Sequence, residues 1–173
     1  SDIKNPGTWQ ISSQAKAVLA GLFVLGLVTI GFGFASGQAH RVWADILQNY
    51  FYFLCVTLGA AFFMALQHIT NTMWSTPVRR IAEGLTSFIP FAAVIGLVIL
   101  VLGKDALYEW THADVVASDP LIASKVGYLN IKFALVRTVL FFGLWIFLVR
   151  KMVANSLAQD LSGAAGLTLS NNK

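Results

Sequence analysis

Apolar residues gather along the chain into four long windows, residues 17–39, 46–67, 84–103 and 133–149. Apolar and polar positions do not alternate within them, which excludes a membrane β-barrel. A membrane span needs about 20 mostly apolar residues, because the hydrocarbon core is roughly 30 Å thick and a helix rises about 1.5 Å per residue. Backbone amides in lipid must be satisfied within the segment, so each window predicts a helix. The pattern defines an all-α, polytopic transmembrane bundle of four helices at about 16–36, 48–70, 77–103 and 129–153. The bundle is expected to fill residues 1–160, with an irregular tail over 161–173.

Composition sharpens this reading. Charged residues make up 12% of the chain, about half the usual share of a soluble domain, and the mean hydropathy is +0.70. The first window is longer than a signal-peptide core and lacks a small-x-small cleavage site, so it reads as a retained span. The single cysteine, Cys55, rules out a disulfide framework or a thiolate cluster within the chain. A net charge of +4 fits loops beside anionic lipid and not a nucleic-acid surface. Lys and Arg are more numerous on the side holding both termini and the second loop, seven against four on the other side. By that asymmetry both termini are expected in the cytoplasm of a bacterial inner membrane.

The richest stretch runs from Asn49 to Glu83. Small residues Gly59, Ala60 and Ala61 thin the second helix at mid-membrane, and the first carries Ala17-x-x-x-Gly21 and, at its far end, Gly33-x-x-x-Gly37, spacings that let backbones approach closely. Packing inside the bundle is the expected use of all three. Residues 70–72 should break the second helix, and Thr76 with Pro77 should start the third. That start places Arg79 and Arg80 against the helix dipole, with Glu83 close enough to pair with either. The trio reads either as a cytoplasmic basic cluster with one surface ion pair or as a docking site and polar entrance. Pro90 should kink the third helix and free a carbonyl for a neighbour to satisfy.

Four aromatic residues, Trp9, Trp43, Trp74 and Trp110, suit the membrane interface, as does Tyr108 in the acidic loop 104–130. His68 ends the second helix. It reads as an interfacial cap, or as a proton relay or quinone ligand. His40 and His112 fall on the opposite side, which argues against a bis-histidine haem. Arg137 is the one charge well inside a window, and a charge there costs several kcal/mol unless paired or hydrated. It should share an inward face with Asn130, either bonded to carbonyls and loop acids such as Asp105, or lining a polar conduit. No Asp or Glu lies deep in any span, so a complete proton wire cannot be built from this chain alone.

Taken together, Leu58-Gly59, Gln67-His68, Trp74, Val78-Arg79-Arg80, Glu83-Gly84 and Pro90 resemble the first half of ActF. ActF is a membrane subunit of bacterial alternative complex III, related to the NrfD/PsrC-like integral membrane proteins. Leu107-Tyr108-x-Trp110, Lys125, Tyr128-Leu129-Asn130, Arg137, Trp145 and Ser156-x-x-Gln159-Asp160 continue the likeness. The resemblance implies a non-redox membrane subunit of a quinol:electron-acceptor oxidoreductase in a respiratory chain, rather than an enzyme by itself. It implies menaquinone or ubiquinone nearby, with haem c and iron–sulfur clusters on partner subunits. Those partners would be an NrfD-like quinol-site subunit, an iron–sulfur subunit and c-type cytochromes, besides lipids. It also implies proton half-channels, to which His68, Arg79, Arg80, Glu83, Tyr108, Asn130 and Arg137 would contribute. Relatives carry a second histidine where Gln67 stands and glycines where Asn71 and Thr72 stand. They are also longer, so the chain matches their first four-helix bundle. The competing expectation is half of a transporter or channel, with a polar path at Pro90 and Arg137.

Overall fold

The computed structural model describes residues 11–70 and 76–162, of which residues 76, 77 and 159–162 are described as backbone only. Every regular element among them is helical, and four helical stretches are long and apolar enough to cross a membrane. The protein is an all-α, multi-pass membrane bundle. It divides into two compact units, residues 1–42 and 43–173.

The first unit holds α1, Ser13–Ala35, and the opening turn of α2. Ser12 starts α1 by accepting a hydrogen bond from the Ala15 amide at 3.2 Å. The helix is apolar on every side and buries none of its residues, the surface expected of a helix meant for lipid. It ends in a Schellman motif: the Gln38 amide donates to the Gly33 carbonyl and the Gly37 amide to that of Phe34, each at 3.2 Å. Gly37 takes a left-handed φ of 77°, which a side chain would strain. The Gly33/Gly37 spacing therefore builds a turn instead of a helix-packing face. Gly33 has no room for a side chain because Val42 folds back onto it.

In place of the expected loop around His40, Arg41 and Asp45, the chain enters α2, Ala39–Thr70, directly after Gln38. Nothing in that polar segment opposes helix, and once α1 is capped the next turn can form at once. α2 has 32 residues, about 48 Å at helical rise, and so outlasts the hydrocarbon core at one end or both.

The second unit packs the rest of α2 against α4, Ile89–Leu102, and α8, Ile131–Ser162. Leu54, Ile89, Ala92, Phe142 and Val149 form one buried cluster; Ala60, Met64 and Ala82 form another toward α3, Thr76–Thr86. In lipid such contacts stabilise by close packing, so small residues decide where helices approach. A side chain on Gly96 would collide with the Tyr50 hydroxyl, and one on Gly103 would come 2.9 Å from the Trp43 ring. Ala60 serves as the packing waist expected of it, whereas Gly59 faces open space.

The third span is two helices, not one kinked helix. α3 and α4 are separated at Ser87 and Phe88, and Pro90 sits in the first turn of α4, where its missing N–H costs nothing. The carbonyls at the break find partners locally. Thr86 Oγ1 donates to the Glu83 carbonyl at 2.7 Å and Ser87 Oγ to that of Gly84 at 2.6 Å, while the Phe88 amide reaches Leu85 at 3.3 Å. The carbonyl that Pro90 was expected to free is that of Thr86, a different group from these three, and with Pro90 in the first turn of α4 the kink itself is replaced by a break.

Residues 104–130 are built of short helical turns: α5, Lys104–Leu107, a 3-10 turn, Glu109–Thr111, then α6, Ala113–Ser118, and α7, Pro120–Ala123. Asp119 caps α7 by accepting from the Leu121 amide at 2.8 Å. α8 begins two residues later than expected and runs nine past the expected end, so Leu161 and Ser162 are helical. The expectations for Trp9, for the break at residues 71 and 72, for Trp74 and for the tail from 163 onward lie outside the described residues.

Gly37→Ala should lower stability by about 1–2 kcal/mol through its left-handed backbone. Gly21→Ala, which places its Cβ in open space, should be neutral or slightly stabilising. Thermal unfolding of the two variants in mild detergent separates these outcomes.

Candidate functional site

Three helix ends meet where α2 finishes, α3 begins and α8 passes its final turns. Met64, Ala82, Met152 and Val153 pack together in one layer. One turn further toward that end, the helical period brings Gln67 and His68 on α2, Arg79 on α3 and Ser156 on α8 to one level. Gln67, His68, Glu83, Thr86 and Ser156 are all buried, an unusual density of polar side chains for a helix seam.

Glu83 lies between two cations. Arg80 donates to its Oε2, and Arg79 Nε lies 3.6 Å from its Oε1. The Glu83 and Arg79 side chains are 6% and 17% exposed, whereas Arg80 is 39% exposed. The carboxylate is what allows two arginines in the first turns of a helix, against its dipole. This is a largely buried ion-pair triad and not a solvated surface pair, whose worth would be small.

His68 Nδ1 lies 2.8 Å from the Met64 carbonyl. A carbonyl can only accept, so Nδ1 carries the proton and a neutral ring keeps Nε2 as its acceptor. The amide of Gln67 and the hydroxyl of Ser156 are buried with no hydrogen-bond partner among the described residues. Such groups cost about 1–3 kcal/mol each, so this layer carries polar capacity beyond what the fold itself uses.

Beside the triad, a cleft of about 510 Å³ runs between the α3–α4 break and α8. Glu83, Thr86, Ser87 and Arg150 give it polar groups, and the rest of its lining is apolar, with Ile89, Pro90, Ile146 and Val149 at its deeper part.

The remaining candidates sit at the other end of the second unit and form a separate group. Asn130 is the N-cap of α8: its Oδ1 accepts from the Phe133 amide at 2.8 Å, and its Nδ2 donates to the Gly127 and Val126 carbonyls. It does not join Arg137 on an inward face, because capping holds it beyond the helix start. Arg137 turns back toward the loop. Its guanidinium carbon lies 4.2 Å from the centre of the Tyr128 ring and 5.5 Å from that of Phe133. Asp105 pairs instead with Lys104 at 2.6 Å. The compensation expected from a loop acid thus comes from aromatic faces, which are worth about 2 kcal/mol or more when desolvated. One guanidinium nitrogen, Nη1, is buried without a hydrogen-bond partner among the described residues.

Tyr108 stacks on Trp110 with ring centres 5.4 Å apart. Burial pushes its phenol above the usual value of 10. His112 donates from Nε2 to the Asp105 carbonyl at 2.8 Å and so helps close the loop.

The structure thus joins Arg79, Arg80 and Glu83, buries His68 one turn beyond the Met64–Ala82 contact, and places Tyr108, Asn130 and Arg137 elsewhere. Sequence reasoning missed Thr86, Ser156 and Arg150 as members of the first group. Ser156 follows Met152 by four residues, a spacing that could have put it on the seam. No protein-family model matches the sequence, and no curated protein matches it.

Glu83→Gln should cost about 1–3 kcal/mol, less than the 3–5 kcal/mol of a fully buried pair because Arg80 reaches the outside. Arg79→Gln should cost more than Arg80→Gln. Melting temperatures in detergent check both statements. A raised phenol pKa stabilises the fold below the ordinary value and withdraws that stability as pH climbs through the folded one. The loop around Tyr108 should therefore loosen above pH 10, and Tyr108→Phe should remove that part of the alkaline loss. Limited proteolysis across an alkaline pH series reads this out.

Proposed function

We propose that this chain is an integral membrane subunit of a bacterial respiratory quinol:electron-acceptor oxidoreductase, of the alternative complex III kind. In this reading it carries no redox centre, shapes the quinone environment, and contributes to assembly and proton movement. Haem c and iron–sulfur clusters belong to partner subunits, with an NrfD-like quinol-site subunit beside it. The bacterial inner membrane is its place, with the Glu83 end on the cytoplasmic side, as the distribution of Lys and Arg favours.

The observations that carry this reading are the largely buried triad of Glu83, Arg79 and Arg80 and, toward the same end of the second unit, the buried side chains of His68, Gln67 and Ser156. A carboxylate, an imidazole and spare hydrogen-bonding groups at one membrane end are the chemistry for taking up or passing a proton. They also lie on the segments whose residues resemble the family. The transporter reading draws on the discontinuous α3–α4 span. It needs a path from Pro90 to Arg137, yet Pro90 lines the cleft with Val149, about 18 Å along α8 from Arg137.

Purification through a tag in mild detergent, with mass spectrometry and a reduced-minus-oxidised spectrum, tests the proposal. Iron–sulfur and NrfD-like partners with a c-haem band are the expected result. A colourless, solitary chain that supports solute uptake in vesicles would overturn it in favour of transport.

A further inference from the structure

The cleft between the α3–α4 break and α8 changes character along its length. Its deeper part is hydrocarbon, from Ile89, Pro90, Ile146 and Val149; Thr86 and Arg150 bring polar groups nearer the α3 start, among further apolar side chains of α8. At about 510 Å³ it lies within the roughly 300–1,000 Å³ of sites that hold small molecules. It is also open at its side, since Ala154 and Ser87 are exposed and Leu157 is half exposed.

Depth in the bilayer follows from α8. Arg137 and Arg150 are thirteen residues apart, about 20 Å along the helix, with no charge between them. Two long side chains reaching outward from those positions bridge a hydrocarbon core of roughly 30 Å, so Arg150 delivers its guanidinium near the headgroup level.

Charge then selects the occupant. Glu83 is already answered by Arg79 and Arg80, so it does not repel an anion. Arg150 is exposed and has no ion-pair partner among the described side chains. With Lys151 next to it, this end of the second unit sets four cations against one carboxylate among those side chains. A neutral ring in the cleft would leave Arg150 without a counter-charge, and a free inorganic anion would leave the apolar part unfilled.

We propose that this cleft is a site for one anionic phospholipid, its phosphate on Arg150 and an acyl chain along Ile89, Pro90, Ile146 and Val149. The site stands independently of the respiratory assignment.

The test uses the full chain, with any subunits that purify with it, equilibrated in mixed micelles of equimolar phosphatidylglycerol and phosphatidylcholine. Retained lipid is then extracted and counted by mass spectrometry. The wild type should keep phosphatidylglycerol over phosphatidylcholine by roughly fivefold, the worth of one basic residue at an anionic surface. Arg150→Gln should bring the ratio near one, and Arg150→Lys should preserve it. Lys151→Gln, outside the cleft, should leave it unchanged, and Ala154→Phe should reduce retention of both lipids. Equal retention by the wild type overturns the proposal even if no variant folds. So does a Lys151→Gln loss as large as that of Arg150→Gln, which would mean general attraction to a basic surface. Unchanged retention in Ala154→Phe would place the lipid elsewhere.

Discussion

The hydroxyls of Thr86 and Ser87 turn back onto the carbonyls of Glu83 and Gly84, and with the amides of Ser87 and Phe88 they close the end of α3 on which the shape of the second unit turns. A backbone acceptor left open in lipid costs several kcal/mol. By answering the carbonyls locally, the two residues let the third span break where Pro90 begins the next helix. The break sets α3 apart from α4, and Ala82 of α3 packs against Met64 near the end of α2. It also opens the cleft whose other wall is α8.

The same economy governs the charges. Arginines at two ends are held in different ways: Arg79 and Arg80 by a buried carboxylate, Arg137 by the faces of Tyr128 and Phe133. Each arrangement spares the bundle an unpaired cation in a medium that penalises one heavily. They also leave different capacities behind. The first leaves a carboxylate oxygen of Glu83 and the amide of Gln67 buried without hydrogen-bond partners among the described residues; the second leaves one guanidinium nitrogen of Arg137 so.

The helices were legible because a bilayer leaves the backbone so few choices: four apolar windows had to become four spans. Pro90 gave the place of the break, and Arg79, Arg80 and Glu83 gave their own pairing by spacing alone. What stayed hidden was the business of ends. Asn130 sits seven residues from Arg137, which reads as one helical face until the helix is seen to start after Asn130. Tyr128 lies on the far side of that cap, so no helical period connects it to the arginine it covers. Gly37 looked like half of a packing motif because four-residue spacing carries no information about φ. Polar residues at 40, 41 and 45 suggested a loop, since composition registers exposure to water and not helicity.

The spans differ in length, and length decides how each one meets a bilayer. α2 and α8 are each 32 residues long, whereas the broken span covers 25, between Arg80 near its start and Lys104 just beyond its end. Were the membrane to thin by a few ångströms, the water line would simply slide along α2 and α8, whose surplus turns already lie outside the hydrocarbon. The α3–α4 span has no such surplus. Its fixed charges at both ends make it the element that gauges thickness, and its joint at Ser87–Phe88, where the helical ladder is interrupted, is where a mismatch would be taken up.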